Sequence, residues 1–286
     1  YVYRQKDNNG VFLAEGNIGK LEFPLSESSA LRAAEKFMSL KAQYFPDSDV
    51  YLSLVPDKSY FLAERNSYPA LDYEKMVSLL RENTEGIQYI DLFDTLSADK
   101  YYTTDAHWRQ ECLHDTALRL AQGLGVSNSF TWDYEENRLK DFYGVYYGQA
   151  ALPFPPDTLV YLTSTTTEGA RVYNAETQGI TGVYDLAKLT DGKSMDMYDV
   201  FLSGASAVLT VTNPNAAGDA KGRELILFRD SFGSMAPLLL DCYETITLVD
   251  IRYIASGFLG QYVEFHGQDV LFLYSTSVIN NSTMLK

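Results

Sequence analysis

The chain is poor in the residues that build metal centres and cross-linked scaffolds. It has three histidines, two cysteines and two tryptophans in 286 residues. Three histidines cannot furnish an elaborate imidazole-rich metal centre. Cys112 and Cys242 cannot make a disulfide scaffold or a four-cysteine zinc site, which leaves one disulfide or two buried thiols. Positive charge is also scarce: 23 Lys and Arg stand against 38 Asp and Glu, a formal net charge of −15. Such a surface repels phosphate backbones, and no stripe of Lys and Arg offsets it, so nucleic acid is a poor partner. A neutral or cationic polymer is easier to accommodate. No apolar run reaches the roughly 18–20 residues that cross a bilayer. The opening YVYRQKDNNG shows no initiator Met and no signal-peptide pattern, as in a mature or trimmed chain, and leaves export open.

Tyrosine is the residue in surplus, with 22 Tyr and 15 Phe. A hydrophobic fraction of 46% is that of a globular protein, so wholesale disorder is excluded. The length allows one large domain, or a main domain with a sizeable insertion.

The pattern alternates between strand and helix. VFLAEGNIGKLEF reads as short extended pieces broken by glycine. SESSALRAAEKFMSLKAQYF reads as a helix capped by Ser26 or Ser28, with Leu31, Ala34, Phe37, Met38 and Tyr44 on its apolar face. DVYLSLV is a predicted buried strand that Pro56 ends, LDYEKMVSLLREN a second helix, and IQYIDL a second strand. A third helix is predicted from Trp108 onward, stopped by Gly123 and Gly125. Strand–helix–strand spacing of this kind predicts a parallel sheet. Residues from about 131 to 220 change to short β-like pieces, read as a β-rich insertion or lobe within a single domain spanning 1–286. The α/β rhythm returns with ELILFRDSFGSMAPLLLDC, ETITLVDIRY and DVLFLYSTS.

Two segments carry possible chemistry. Ser231 in ILFRDSFG follows an apolar strand and precedes a predicted helix, where its hydroxyl can serve as a nucleophile. Amides at the start of that helix can stabilise an oxyanion. A capping serine is the plain alternative. In DAHW, residues i and i+2 point the same way if the stretch is extended, so Asp105 can sit beside His107. His107 would then take the Ser231 proton. The alternative is that Thr104 or Asp105 caps the following helix. His114 falls within that helix and His266 in a predicted loop, so both are weaker candidates. A metal site from Asp105, His107 and a distant carboxylate is conceivable without any supporting motif. Lys58 follows the first strand and can steady an anionic group or lie exposed in a turn. Arg229 and Arg252 flank strands, where they can pair with carboxylates. The Tyr101–Tyr102 pair can line a sugar cleft or pack. No dinucleotide fingerprint, phosphate loop or G-x-S-x-G elbow is present, and no cofactor is expected.

YYTTDAHW and LILFRDSFGSMAPLLLDCYETITLVDIRY together resemble the DHHW protein family of bacteria, which is related to the SGNH-hydrolase-like acetyltransferases of alginate modification. VYLSLVPDKSYFL, DFYGVYYG and YDVFLSG resemble further family segments, so the likeness covers most of the chain. It implies a flavodoxin-like, three-layer SGNH-type α/β core in permuted order, with the Asp–His motif before the serine. It also implies Asp105 as orienting acid, His107 as general base and Ser231 as nucleophile, with Tyr102, Trp108, Lys58 and Arg229 as accessory or substrate-contacting residues. The function implied is a carbohydrate O-acetyltransferase or acetylesterase, extracellular or at the cell surface, acting on carbohydrate or cell-wall polymer. The chain departs from the pattern at Ala106, where the family name has a second His. It departs again at RDSFG, where Arg229 replaces a glycine that permits close backbone approach. A non-catalytic glycan- or partner-binding protein and a metal-dependent hydrolase are the alternative readings.

Overall fold

The computed structural model describes residues 10–150, 153–189 and 196–286. Strands β1 (Val11–Ala14) and β2 (Asn17–Lys20) pair as a hairpin. Glu15 and Gly16 turn it with φ of 51° and 77°, the twisted two-residue turn that antiparallel strands favour. Helix α1 (Glu27–Tyr44) is capped by the Ser26 hydroxyl, which accepts from the Ser29 amide. It buries Ala30, Ala33, Ala34, Phe37 and Leu40. Strand β3 (Val50–Val55) is buried at all six positions, and Asp57 caps the short helix α2 (Lys58–Leu62) behind it. Helix α3 (Tyr73–Glu82), capped by Asp72, leads to the brief strand β4 (Gln88–Tyr89).

Helix α4 (His114–Gly123) starts six residues later than the sequence pattern suggests. Trp108 forms a β-bridge with Tyr101 and Gln110–Cys112 makes one 3-10 turn, so the chain between Trp108 and Leu113 is committed before the helix begins. Neither Thr104 nor Asp105 caps α4; its first turn has no side-chain cap. Strand β5 (Glu135–Phe142), helix α5 (Val145–Ala150) and strand β6 (Asp157–Thr163) follow, with β5 and β6 paired to each other alone. Strands β7 (Arg171–Asn174), β8 (Gly179–Thr181) and β9 (Val208–Thr212) instead join the main sheet. The Tyr-rich middle of the chain is thus divided between a separate hairpin and an antiparallel extension of the central sheet. Strands β10 (Glu224–Arg229), β11 (Thr245–Val249) and β12 (Asp269–Ser275) complete it.

The eight strands run β4-β3-β12-β10-β11-β9-β7-β8. The first five are parallel and the last three antiparallel, so the sheet is mixed. Helices cover both faces. Ile226, Phe228, Val270 and Phe272 pack on one side with α1 and α3. Leu225, Leu227, Leu271 and Leu273 pack on the other with α4 and the 3-10 segment Ser231–Leu239. A strand buried on both faces has no polar side, which is why ILF and VLFLY read as continuous apolar runs. The segment after Ser231, expected as an α-helix, is a 3-10 helix with Pro237 inside it. Proline has no amide to give an α-helical ladder. Cys112 and Cys242 are both free thiols.

Phe37 is fully buried and its ring stacks on Phe272 at 4.4 Å and on Tyr274 at 5.6 Å. Phe37→Ala is expected to cost about 3–5 kcal/mol of stability, through lost transfer energy and the cavity left behind. A denaturant titration followed by circular dichroism reads this as a lowered midpoint with an unchanged slope.

Candidate active site

Five parallel strands present their carboxyl ends along one edge, where α/β sheets form their clefts. At the end of β10, Asp230 is extended and caps the 3-10 segment, with Oδ1 accepting the Phe232 amide at 3.0 Å. Its Oδ2 accepts the Ser275 amide at 2.7 Å from the end of neighbouring β12. The carboxylate thus fixes the turn that presents Ser231 to the strand beside it. Gly233 lets the turn close: a Cβ there would lie 2.6 Å from Arg229 Cβ.

The 102–107 segment meets this turn through His107. His107 Nε2 lies 2.7 Å from Ser231 Oγ, and His107 Nδ1 lies 2.6 Å from Asp105 Oδ1. Asp105 is fully buried and also accepts the amides of His107 at 2.9 Å and Val145 at 2.8 Å. Burial alone pushes its carboxyl up, but the His107 ring and these two amides outweigh burial and hold it at about 2. An ionised carboxylate only accepts, so Nδ1 carries the ring proton and Nε2 accepts from the Ser231 hydroxyl. Gly144 permits the Val145 contact, since a Cβ there would stand 2.3 Å from Asp105 Cβ and 2.5 Å from the Thr104 carbonyl oxygen.

A cavity of about 220 Å³ opens over Ser231 and His107. Tyr198 stacks on the His107 ring at 3.8 Å with planes 8° apart, and its hydroxyl bonds Ser234 at 2.7 Å. Arg229, Arg252 and Tyr253 form one wall, with Asp196 and Asp199 also lining the space. Arg252 clamps the buried Asp250 carboxylate through Nε and Nη2 at 2.9 and 2.6 Å. Arg229 is only 4% exposed; its Nη1 reaches the Asp230 carbonyl at 3.3 Å, while Nε and Nη2 are buried without hydrogen-bond partners among the described residues. Burial pushes its pKa down, and Asp250 only partly offsets that.

The remaining sequence candidates separate by burial. Tyr102 and Trp108 are enclosed in the core, packed against Phe142 and Phe232 respectively, and neither lines the cavity. Lys58, expected near an anionic group or exposed in a turn, is 2% exposed and bonds two backbone carbonyls. His114 pairs with Asp115 and His266 lies 3.4 Å from Glu224, both outside the cavity. His107 Nδ1 is paired with Asp105 and Nε2 with Ser231. Among the described residues no group of three His, Cys, Asp or Glu side chains is gathered to hold a metal ion. Nothing in the sequence pattern singles out Asp157, Tyr198 or Asp230 for the site. A glycine amid the aromatic run DFYGVYYG was the one local signal, and it marks Gly144.

Fold and site define an α/β protein with serine, histidine and aspartate hydrogen-bonded in line at the carboxyl edge of a parallel sheet. The DHHW protein family matches residues 63–249, well over half the chain, and the chain belongs to that family. A DHHW family protein from Eubacterium siraeum superposes with a TM-score of 0.77 at 21% identity, covering 98% of this chain and 95% of that one. Bacillus cereus PatB1 with a sulfonyl adduct gives 0.68 at 15% identity, over 94% and 95% of the two chains. The O-acetyltransferase domain of Pseudomonas putida AlgJ gives 0.53 at 12%, over 95% and 92%. No curated protein matches the chain.

Gly144→Ala tests the closeness on which Asp105 depends. The new methyl meets backbone and Cβ atoms that cannot swing aside, so a loss of about 1–3 kcal/mol is expected. The His107 ring nitrogens, followed by ¹⁵N NMR, should shift as Asp105 is displaced; unchanged shifts would show that the contact is dispensable.

Proposed function

We propose that the protein is a serine-dependent carbohydrate O-acetyltransferase or acetylesterase that works through an acyl-enzyme on Ser231. The observation that carries this reading is the 2.7 Å bond from Ser231 Oγ to a His107 ring whose other nitrogen is held by buried, ionised Asp105. A serine that merely capped its turn would not need that line, and here Asp230 does the capping.

In this mechanism His107 Nε2 takes the Ser231 proton as Oγ attacks the acetyl carbonyl. The tetrahedral intermediate collapses, His107 returns the proton to the departing alkoxide, and the acetyl group remains on Ser231. A sugar hydroxyl or water, deprotonated by His107, then attacks the acyl-enzyme and frees the serine. Asp105 orients the ring and stabilises the imidazolium. Tyr198, stacked on that ring, offers its π face to the same positive charge. The Phe232 amide and the Gly233 amide are already taken by Asp230. The Ser231 amide is therefore the backbone donor we assign to the oxyanion.

Several observations support the finer parts of this reading. Counted from β10, the five parallel strands lie in the order 2-1-3-4-5, the flavodoxin-like order, with the chain entering at the fourth strand. That count supports a flavodoxin-like core in permuted sequence. Ser231 follows β10 at the point where the strand order reverses, the switch point at which such sheets bind ligands. We read the chain as one domain, with about 131–220 as an insertion, because β7 to β9 hydrogen-bond into the main sheet. The acetyl-transfer part of the reading draws support from the AlgJ O-acetyltransferase domain, which shares the fold; the carbohydrate acceptor is carried over from the family resemblance. A sulfonyl adduct is what an activated nucleophile gives with a sulfonylating reagent, and PatB1 carries one on the same fold. The reading carries with it an extracellular or cell-surface location, where such polymers lie. Among the described residues no helix is long and apolar enough to cross a membrane.

Incubation with p-nitrophenyl acetate followed by intact-mass spectrometry tests this. The wild type is expected to gain one acetyl group on Ser231 and to release nitrophenolate. Ser231→Ala should abolish the adduct, and His107→Ala or Asp105→Asn should slow acylation by about 10²–10⁴-fold. Absence of adduct and turnover in the wild type, across acetylated glycans as well, would remove the enzyme reading. Glycan binding that survives Ser231→Ala in such an inactive protein would establish the binding-module alternative.

A further inference from the structure

Lys58 is a buried cation that the reaction scheme leaves unused. It opens α2 just beyond the carboxyl end of β3. Its Nζ donates to the Tyr102 carbonyl at 2.6 Å and the Thr103 carbonyl at 3.0 Å, and lies 5.3 Å from the centre of the Tyr146 ring. Both acceptors are neutral. An ammonium enclosed with only neutral acceptors is a cost to the fold, and an apolar side chain of similar length would pack there more cheaply.

The opposite charge holds the same stretch of backbone from its other side. Asp157 accepts the Thr103 amide at 2.9 Å, the Thr104 amide at 2.8 Å and the Thr104 hydroxyl at 2.6 Å. Carbonyls thus meet a cation and amides meet an anion, immediately before Asp105. The Tyr102 amide in turn donates to the His107 carbonyl at 3.1 Å, closing the segment into a loop. A displacement at Tyr102 is therefore passed to His107 by one hydrogen bond.

We propose that Lys58 is a positioning residue: its charged form holds the 102–104 backbone, and through it the His107 ring, in line with Ser231, and losing its proton loosens that line. The enzymatic consequence rests on the acyl-enzyme reading; the structural one does not. The ionisable groups around Lys58 are Asp57 on its own turn, Asp105 and Asp157 on the segments packed against it, and the Tyr146 phenol on α5. Burial pushes the Lys58 pKa down to about 7, and the three carboxylates only partly oppose this. The charged form is accordingly full below about pH 7 and lost as pH rises through it. Protonation at lower pH also favours the unfolded chain, where the lysine is hydrated, so its contributions to stability and to positioning run in opposite directions with pH.

The experiment pairs ¹⁵N NMR of the His107 ring and of the Lys58 ammonium with the rate at which a sulfonyl fluoride labels Ser231, across pH 5 to 10. In the wild type the Lys58 ammonium should titrate near pH 7, and His107 should show an inflection at the same pH. Labelling should bend downward there. Lys58→Arg, which stays charged throughout the range, should keep labelling and lose the bend. Lys58→Met should label about tenfold more slowly at every pH, without the bend, and with displaced His107 shifts. The proposal is overturned if Lys58 titrates in the wild type without any response at His107. It is equally overturned if Lys58→Met keeps wild-type His107 shifts and labelling. Coupled titration in a protein whose Ser231 never labels would leave Lys58 in this role and remove the acyl-enzyme reading instead.

Discussion

The Asp105 carboxylate is the interaction on which the site's geometry depends. It is fully enclosed, yet it accepts the His107 ring, the His107 amide and the Val145 amide, so its charge is shared among donors. A buried carboxylate without such donors would be neutral, and a neutral acid would not fix the ring's tautomer. The requirement reaches outward. Val145 approaches because Gly144 has no Cβ, and the 102–104 backbone is steadied by Lys58 and Asp157 on opposite sides. One desolvated charge thereby dictates the residues at several places distant in sequence.

The edge of the sheet is organised by the same economy of charge. Aspartates stand just past the ends of three parallel strands: half-buried Asp57 after β3, and buried Asp230 after β10 and Asp250 after β11. Asp230 bridges to Ser275 at the end of β12, and Asp57 accepts the Thr276 and Tyr73 hydroxyls. Asp250 holds Arg252, and Arg229 approaches it at 4.0 Å. Each carboxylate satisfies backbone or side-chain donors that the end of a strand leaves exposed to an apolar interior. Ser231 sits within this lattice, so its position is set by neighbouring strand ends and by its own turn together.

What could be read from the sequence follows from the range of the interactions concerned. The α1 face with Ala34 and Phe37 was legible because helical spacing is local, as were the strands that lead to Pro56 and to Ser231. The Asp105–His107 pair was legible as an i, i+2 pair, although the segment bends rather than extends and Asp105 Oδ1 meets both the amide and the ring of His107; the family resemblance strengthened its link to Ser231. The later start of α4 was not legible, because the Tyr101–Trp108 bridge competes with helix formation and depends on tertiary context. The same holds for the burial of Tyr102, Trp108 and Lys58: polar-looking turn chemistry gives no sign that another segment will cover it. Tyr198 was one tyrosine among 22, and only its stacking on His107 distinguishes it. The middle region read as β-rich, but pairing partners over such separations leave no local trace, so the joining of β7 to β9 to the main sheet had to come from the fold.

The charge of the chain bears on substrate less directly than its net value suggests. Fifteen excess negative charges act mainly from the surface, where salt screens them within about 10 Å. Near Ser231 the chain instead encloses Arg229, Arg252 and, behind the 102–104 segment, Lys58. Charges in a low-dielectric interior interact more strongly than the same charges in water. Asp196 and Asp199 line the same cavity, so Ser231 stands in a space with both signs on its walls. Net charge then governs which polymers approach the protein, while the local arrangement governs what is held beside Ser231. The acidic surface still argues against nucleic acid. It gives no reason to exclude a sugar carrying an isolated anionic or cationic group, because the cavity's own charges and the serine's hydrogen-bonded line act on that group at much shorter range.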